Sequence, residues 1–344
     1  MQLSIDLTGR EVLVTGGDHA ARQAVRRYQA AGAVVSRLST PQGASHDGPL
    51  PERPFLVAAV DDGQPGWDAL LDRCRETGIP VSMEPSAGPV GHVTLVGGGP
   101  GVSELLTVAA VKALRDADVV FYDRLAPYQD LPSLTSAELV DVGKQPGHHK
   151  VSQGDIEKLM VQSALAGNNV VRLKGGDPYV FGRGGEEVAA CVAAGVPVKV
   201  ISGVTSAISV PAAAGIPVTH REVSHMFTVV SGHAPLTEKE LTHLAGLGGT
   251  IVVLMGIGTL HHLAAGLRRA GMKANMPMAV IERGYRPGQR TTIAQLGTIV
   301  TAAADCTNPA VLVIGEVVRV AEANRGHAEA AADLNRLAAS LMGS

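Results

Sequence analysis

Between residues 171 and 187 the chain reads Val-Arg-Leu-Lys-Gly-Gly-Asp-Pro-Tyr-Val-Phe-Gly-Arg-Gly-Gly-Glu-Glu, a density of glycine and charge suited to holding a ligand. Val171 and Leu173 alternate with Arg172 and Lys174, the two-residue period of a half-buried strand. Gly175 and Gly176 then let the backbone turn and approach a ligand where a Cβ would collide, so main-chain amides would do much of the binding. Pro178 imposes extended geometry on Asp177 and aims its carboxylate outward. Gly182, Gly184 and Gly185 repeat the device ahead of Glu186 and Glu187, acids that suit the first turn of a helix reaching residue 195. A lone Gly-Gly-Asp could equally be a plain strand-to-helix turn, but a run this dense points to a site.

Other positions could share that chemistry. Val93-Thr-Leu-Val-Gly-Gly-Gly-Pro-Gly101 is a strand running into a glycine turn, followed by a helix over 103–114. Pro100 removes one amide donor from this loop and stiffens it, which counts against a phosphate cradle. Asp123 leaves the apolar strand Asp118-Val-Val-Phe-Tyr122, and Lys144 follows Val142-Gly143. By residue type alone Asp123 could cap a turn and Lys144 could be a solvated loop cation. Met255, in Val253-Leu254-Met255-Gly256, is by type more often core than ligand contact. His148 and His149 are adjacent and have no evident third ligand, so no metal site is expected.

The elements that must position these residues follow from the alternation of apolar strands and helices. Strands are expected near 93–97, 118–122, 138–141, 169–173 and 198–201, and a second series near 226–231, 250–255, 278–282 and 311–315, with helices between. Strand-helix alternation implies α/β architecture with largely parallel sheets, and two series imply two lobes with a cleft between them. The 344 residues, 45% hydrophobic, support a full core, and 3% aromatic content leaves packing to Val, Ala, Leu and Ile. Cys74, Cys191 and Cys306 have neither metal-type nor disulfide spacing, which reads as a cytoplasmic chain. No secretory signal opens it, and the uncharged stretch 200–219 is broken by Pro211, Pro217 and glycines, so no membrane span is expected. The formal net charge is −3, with no basic block or aromatic platform, which argues against nucleic acid as a partner.

Residues 1–88 form a separate front block, joined through the linker-like 84–89, and 323–344 a helical tail. The front block has strands at 11–15, 32–36, 55–60 and 79–83 with helices at 20–31 and 67–77, the order of a small, incomplete Rossmann-like domain. Thr15 stands where the first glycine of a dinucleotide fingerprint should fall, and Ser36-Arg37 ends the second strand in place of an acid that could hold a ribose. NAD is therefore an unlikely cofactor.

Taken together and in order, the loop at 93–101, Asp118 to Leu125, Val142-Gly-Lys144, the run 171–187, Gly203-Val-Thr-Ser-Ala207 and Gly215-Ile-Pro-Val-Thr-His-Arg221 resemble the tetrapyrrole methylase family over residues 91–322. Ser202 where the family usually has proline, and Gly98 for a common alanine, are the visible departures. The resemblance is strongest to members that methylate uroporphyrinogen III, and it implies a two-lobed tetrapyrrole methylase fold. It implies transfer of methyl groups from two S-adenosylmethionine molecules to ring positions 2 and 7, giving precorrin-2 and S-adenosylhomocysteine for sirohaem or cobalamin synthesis. Asp123 matches the family's proton acceptor and Lys144 its proton donor. The methyl donor is expected to touch Pro100, Gly175, Gly176, Asp177, Val180, Thr205, Ser206, Met255 and Gly284. The substrate's eight carboxylates call for a basic lining from Arg172, Lys174, Arg183, His220 and Arg221. The family is usually homodimeric. The front block is similar to the start of a fused precorrin-2 dehydrogenase module, too short to keep that activity. A methylase of a later precorrin, or a non-catalytic relative, are the alternatives.

Overall fold

A computed structural model describes residues 5–41, 54–86, 90–143 and 152–323. Lys144, His148, His149 and Lys150, and nearly all of the expected tail, lie outside the described residues.

The front block runs β1 (Glu11–Thr15), α1 (Asp18–Ala30), β2 (Val34–Leu38), β3 (Leu56–Asp61), α2 (Asp68–Thr77) and β4 (Val81–Pro85). Its sheet has the order β2-β1-β3-β4 with parallel pairing throughout. The two-residue period of β1 explains the layering: Val12 and Val14 pack with Ala21, Ala24 and Tyr28 of α1, while Leu13 packs with Trp67, Leu70 and Cys74 on the opposite face. Each fully buried Leu of this kind contributes about 1.5–3 kcal/mol. The expected linker starts late, because Glu84 and Pro85 belong to β4, where buried Glu84 takes a 2.6 Å hydrogen bond from Tyr28 and an ion pair from Arg27. Burial and the Glu84 partner push the Tyr28 hydroxyl up to about 12. From α1, Arg26 also reaches Asp118 of the next block at 3.1 Å.

At the turn after β1 a dinucleotide's phosphate would need free amides. Instead the Asp62 carboxylate accepts the Gly17 N–H at 3.0 Å, together with Gln64 N–H and the Trp67 indole N–H. Thr15 is buried, and its hydroxyl accepts the Val60 N–H, locking β1 to β3.

The second block opens with β5 (His92–Gly97), α3 (Val108–Arg115), β6 (Val119–Tyr122), α4 (Leu131–Leu134), β7 (Glu138–Asp141), α5 (Gln153–Leu165), β8 (Asn169–Lys174), α6 (Gly184–Ala193) and β9 (Val198–Ile201). The order β7-β6-β8-β5-β9 is wholly parallel, as alternation implies. The single helix expected over 103–114 is split. A 3-10 turn covers Ser103–Leu105, and Thr107 caps α3 by accepting the Ala110 N–H at 3.1 Å.

Past β9 the chain crosses to the second lobe, because α7 (Ser206–Ala213) packs its Ala207 and Val210 under the next sheet. That lobe comprises β10 (Phe227–Ser231), α8 (Glu238–Leu247), β11 (Thr250–Leu254), α9 (Leu260–Arg269), β12 (Pro277–Glu282), β13 (Arg290–Gln295), α10 (Ile299–Ala302) and β14 (Ala310–Ile314). Its order, β10-β11-β14-β12-β13, corrects the expectation of a largely parallel sheet: β10 and β11 are parallel, and the remaining pairs are antiparallel. The reason is one reversal of direction. A short loop turns β12 back into β13, and β14, reached from β13 by a crossover through α10, keeps that reversed direction where it inserts between β11 and β12. Strand β13 was not anticipated, since Arg-Thr-Thr-Ile-Ala-Gln is a polar edge strand with no buried residue.

One ion cluster pins this edge. Buried Glu282 accepts Arg290 Nε at 2.5 Å and the Thr307 N–H at 2.8 Å, and Arg290 also meets Asp305 at 2.6 Å. Burial opposes the Glu282 charge, yet the Arg290 and Thr307 hydrogen bonds hold its carboxyl at about 2. A depressed carboxyl gives stability that is present above its unfolded value of 4.5 and lost as pH falls towards 2. Glu282→Gln is therefore expected to cost about 2 kcal/mol at neutral pH, and thermal unfolding followed against pH should show the gap to wild type closing between those values.

Candidate active site

The loops that follow β5, β8 and β9 meet backbone against backbone. Gly176 N–H donates to Gly99 O at 2.6 Å, Gly99 N–H returns a bond to Gly176 O at 3.2 Å, and Gly98 N–H donates to Lys174 O at 2.7 Å. A Cβ on Gly97 would stand 2.3 Å from Gly203 N, and one on Gly203 the same distance from Gly176 O. Asp177 completes the junction, and here its carboxylate turns inward, against the outward aim expected. Its Oδ2 accepts the Gly203 N–H at 3.1 Å and its Oδ1 the Tyr179 N–H at 2.8 Å. Backbone partners from two loops outweigh the local bias set by Pro178, and the clamp fixes the loop after β8 against the loop after β9.

This junction lies at the carboxyl ends of the parallel strands, beside a cavity of about 330 Å³ that opens towards the second lobe. Pro100, Gly175, Gly176, Asp177 and Val180 line it from the first lobe, and Thr205, Ser206, Met255 and Gly284 from the crossing segment and the second. Asp123, Arg172, Lys174 and Arg183 line it too. His220 and Arg221 do not, because they sit in an exposed turn closed by the His220–Ser224 bridge. Backbone strain gathers around the same cavity. Phe181, Arg183, Met255, Arg283 and Tyr285 all have φ between 49° and 64°, a region non-glycine residues rarely adopt.

Arg172 and Lys174 are not the exposed cations that a basic lining suggests. They project from β8 onto the side covered by α5 and α6, are each 4% exposed, and converge on Glu187, which is fully buried. Glu187 Oε1 accepts Arg172 Nε at 3.1 Å, Lys174 Nζ at 2.9 Å and Gln153 Nε2 at 3.2 Å. Arg172 Nη1 donates to Leu173 O at 2.9 Å, and its Nη2 lies 3.5 Å from Asp123 Oδ2. Burial, and then the neighbouring Arg172, lowers the Lys174 ammonium from its ordinary value, while Glu187 acts the other way. At the mouth, Arg183 pairs with Glu186 at 3.0 Å.

Two contributors were missed from sequence. Gln153 begins α5, where Ser152 caps the helix by accepting the Asp155 N–H, and only the fold brings it to Glu187. Arg286 lies two residues beyond Gly284, and no local sequence signal marks its contacts. From the second lobe it donates to Pro100 O at 3.2 Å, Arg124 O at 3.3 Å and Leu125 O at 2.5 Å. Burial lowers its guanidinium from the usual value. Leu125 N–H in turn donates to Asp123 Oδ1 at 3.0 Å, so an arginine of one lobe steadies the backbone beside Asp123 in the other.

Among the described residues no three His, Cys, Asp or Glu side chains group closely enough to hold an ion. None of the helices among those residues is long and apolar enough to cross a membrane.

The pattern of the family described as Tetrapyrrole (Corrin/Porphyrin) Methylases matches residues 92–300. An S-adenosyl-L-methionine-dependent uroporphyrinogen III methyltransferase of Methanosarcina barkeri is 47% identical over 241 residues, 68% of this chain and 94% of the relative. A siroheme synthase of Gluconobacter oxydans is 43% identical over 67% of this chain but only 50% of its own length. Among solved structures, uroporphyrin-III C-methyl transferase from Thermus thermophilus, complexed with S-adenyl homocysteine, has a TM-score of 0.58 and 41% identity, covering 67% of this chain and all of that one. With the family pattern matching well over half of the sequence and the cavity built at the place described, the chain belongs to the tetrapyrrole methylases.

Proposed function

We propose that the chain is an S-adenosylmethionine-dependent C-methyltransferase that converts uroporphyrinogen III to precorrin-2 by methylation at C2 and C7. The observation that carries this reading is the glycine junction beside one cavity with Asp123 in its wall, in a chain 47% identical to a methyltransferase named for that substrate.

The residues present fit the methyl donor. Gly97 and Gly203 leave no room for a side chain between the loops, and Gly176, with a left-handed φ of 66°, lines the cavity beside Gly175 with main-chain groups. Val180, Leu254, Val210 and Ile281 supply apolar walls suited to a nucleoside. When bound, S-adenosylmethionine supplies a methyl group on a sulfonium, open to in-line attack by an electron-rich pyrrole carbon.

The chain's own work is positioning and proton handling. Asp123, at the end of β6 with Arg172 on one oxygen and the Leu125 amide on the other, is placed to balance charge on the methylated ring and accept its proton. Lys144 is proposed as proton donor, and lies outside the described residues. Arg183 at the mouth is proposed to meet substrate carboxylates. Arg286 holds the Pro100 and Leu125 carbonyls from across the cleft, so Arg286→Ala should lower turnover about 10- to 100-fold through misplaced loops. Steady-state kinetics with a melting curve checks this, since loss without a matching fall in Tm is expected.

Incubation of purified protein with uroporphyrinogen III and S-adenosylmethionine should yield a dimethylated product. Donor binding without turnover on this substrate, or turnover only on a later precorrin, would overturn the assignment. Residues 1–88 are proposed to lack dehydrogenase activity, because the Asp62 carboxylate stands where a dinucleotide phosphate would bind. A cytoplasmic homodimer serving sirohaem or cobalamin synthesis completes the proposal.

A further inference from the structure

Beneath the cavity wall the protein buries a balanced set of charges. Two cations, Arg172 and Lys174, face two carboxylates, Glu187 and Asp123, and only Asp123 reaches solvent appreciably. Burying such a group is costly, and removing one member leaves the others uncompensated in a medium that screens them poorly. The cluster therefore has a function beyond packing if one of its members must change protonation during turnover.

We infer that Glu187 is a positioning residue that sets the proton affinity of Asp123 through Arg172 and Lys174. This inference rests on the proposed role of Asp123. The geometry is a short chain: Glu187 Oε1 fixes Arg172 Nε at 3.1 Å, and the other end of that guanidinium lies 3.5 Å from Asp123 Oδ2. Glu187 also holds Lys174 at 2.9 Å, so two positive charges are shared between a buried carboxylate and the reactive one. Gln153 adds a neutral donor at 3.2 Å, orienting Glu187 without altering the charge count.

The other charges that bear on these groups are unchanged between the variants compared below. Arg124, next to Asp123, is paired with Asp141 of β7 at 3.3 Å. Arg286 approaches from the second lobe, hydrogen-bonded to three neutral carbonyls, and its positive charge acts on Asp123 equally in every variant compared. On the helices, Cys191 lies near Glu187 and Glu157, and burial and those acids push its thiol up, so it stays neutral. Glu186 is turned outward to Arg183.

The sign follows from counting. Glu187→Gln gives the set a net positive charge, which favours the Asp123 carboxylate and moves the acid limb of the kcat/KM–pH profile down, by about one pH unit. Asp123 becomes a poorer base, and kcat should fall about tenfold. Lys174→Met gives a net negative charge and moves the limb up. The double variant Glu187→Gln/Lys174→Met restores neutrality and should return the limb towards wild type, a reversal that simple damage to packing would not produce.

The experiment is the kcat/KM–pH profile of the full chain with uroporphyrinogen III and S-adenosylmethionine for wild type, both single variants and the double. Opposite shifts that cancel in the double variant support the inference. Lowered activity with an unmoved acid limb in any folded single variant overturns it, and if Glu187→Gln does not fold, Lys174→Met alone decides by the direction of its shift. Asp123→Asn separates the two readings. Full turnover in that variant removes the proposed role of Asp123, whereas an inactive Asp123→Asn with unmoved limbs in the cluster variants removes only the role of Glu187.

Discussion

Asp123→Asn is expected to lower turnover about 10²- to 10⁴-fold, the range that a positioned acid–base group supplies, while leaving donor affinity within about twofold. The substitution is close to isosteric, and the Asn carbonyl can still accept the Leu125 N–H that Asp123 Oδ1 accepts at 3.0 Å. Arg172 loses one partner but keeps Glu187 and the Leu173 carbonyl, so the cluster remains hydrogen-bonded. Folding should therefore survive. What disappears is a carboxylate at the cavity wall able to take a proton from the methylated ring. The glycine junction proposed to bind the donor does not involve Asp123, so calorimetry with S-adenosylhomocysteine should give wild-type affinity. Turnover within tenfold of wild type would show that the proton leaves by another route.

How much of this arrangement could be read from the sequence depended on the range of the contacts involved. Strand-helix alternation set out the first lobe almost residue for residue, because each βα unit carries its own apolar period and glycine turn. The motif residues around 97–100, 175–177 and 203–206 were legible for the same reason, since each lies at a strand end. Strand β13 was not, because an edge strand such as Arg290–Gln295 buries little and its polar residues carry no period. The inward turn of Asp177 was hidden as well, for it depends on the amide of Gly203, 26 residues away. Arg286 is the extreme case. Its acceptors lie 161 to 186 residues distant, and nothing local in Tyr-Arg-Pro-Gly announces a contact between lobes. Arg172 and Lys174 were legible as cations on one face of a strand, but whether they face water or a buried Glu187 is decided by how α6 packs, which the strand pattern does not encode.

Gly203→Ala should abolish donor binding and weaken the fold at once. The added Cβ would stand 2.3 Å from Gly176 O and 2.5 Å from Gly97 C, both backbone atoms that no rotamer change can move. Relief requires separating the loops after β5 and β8 from the loop after β9, and that motion also breaks the Asp177–Gly203 bond of 3.1 Å. Overpacking of this kind costs about 3 kcal/mol, and displacing cradle atoms by about 1 Å costs about 100-fold in any property that depends on their position. Gly185→Ala supplies the contrast within the long motif. Nothing lies within 4 Å of a Cβ there, and the residue sits in the first turn of α6, so the change should be neutral or stabilising by up to about 1 kcal/mol. Denaturant unfolding and S-adenosylhomocysteine calorimetry on the two variants test the pair. If Gly203→Ala bound the product as tightly as Gly185→Ala does, the three-glycine junction could not be the donor's cradle, and the cavity beside it would have to serve the tetrapyrrole alone.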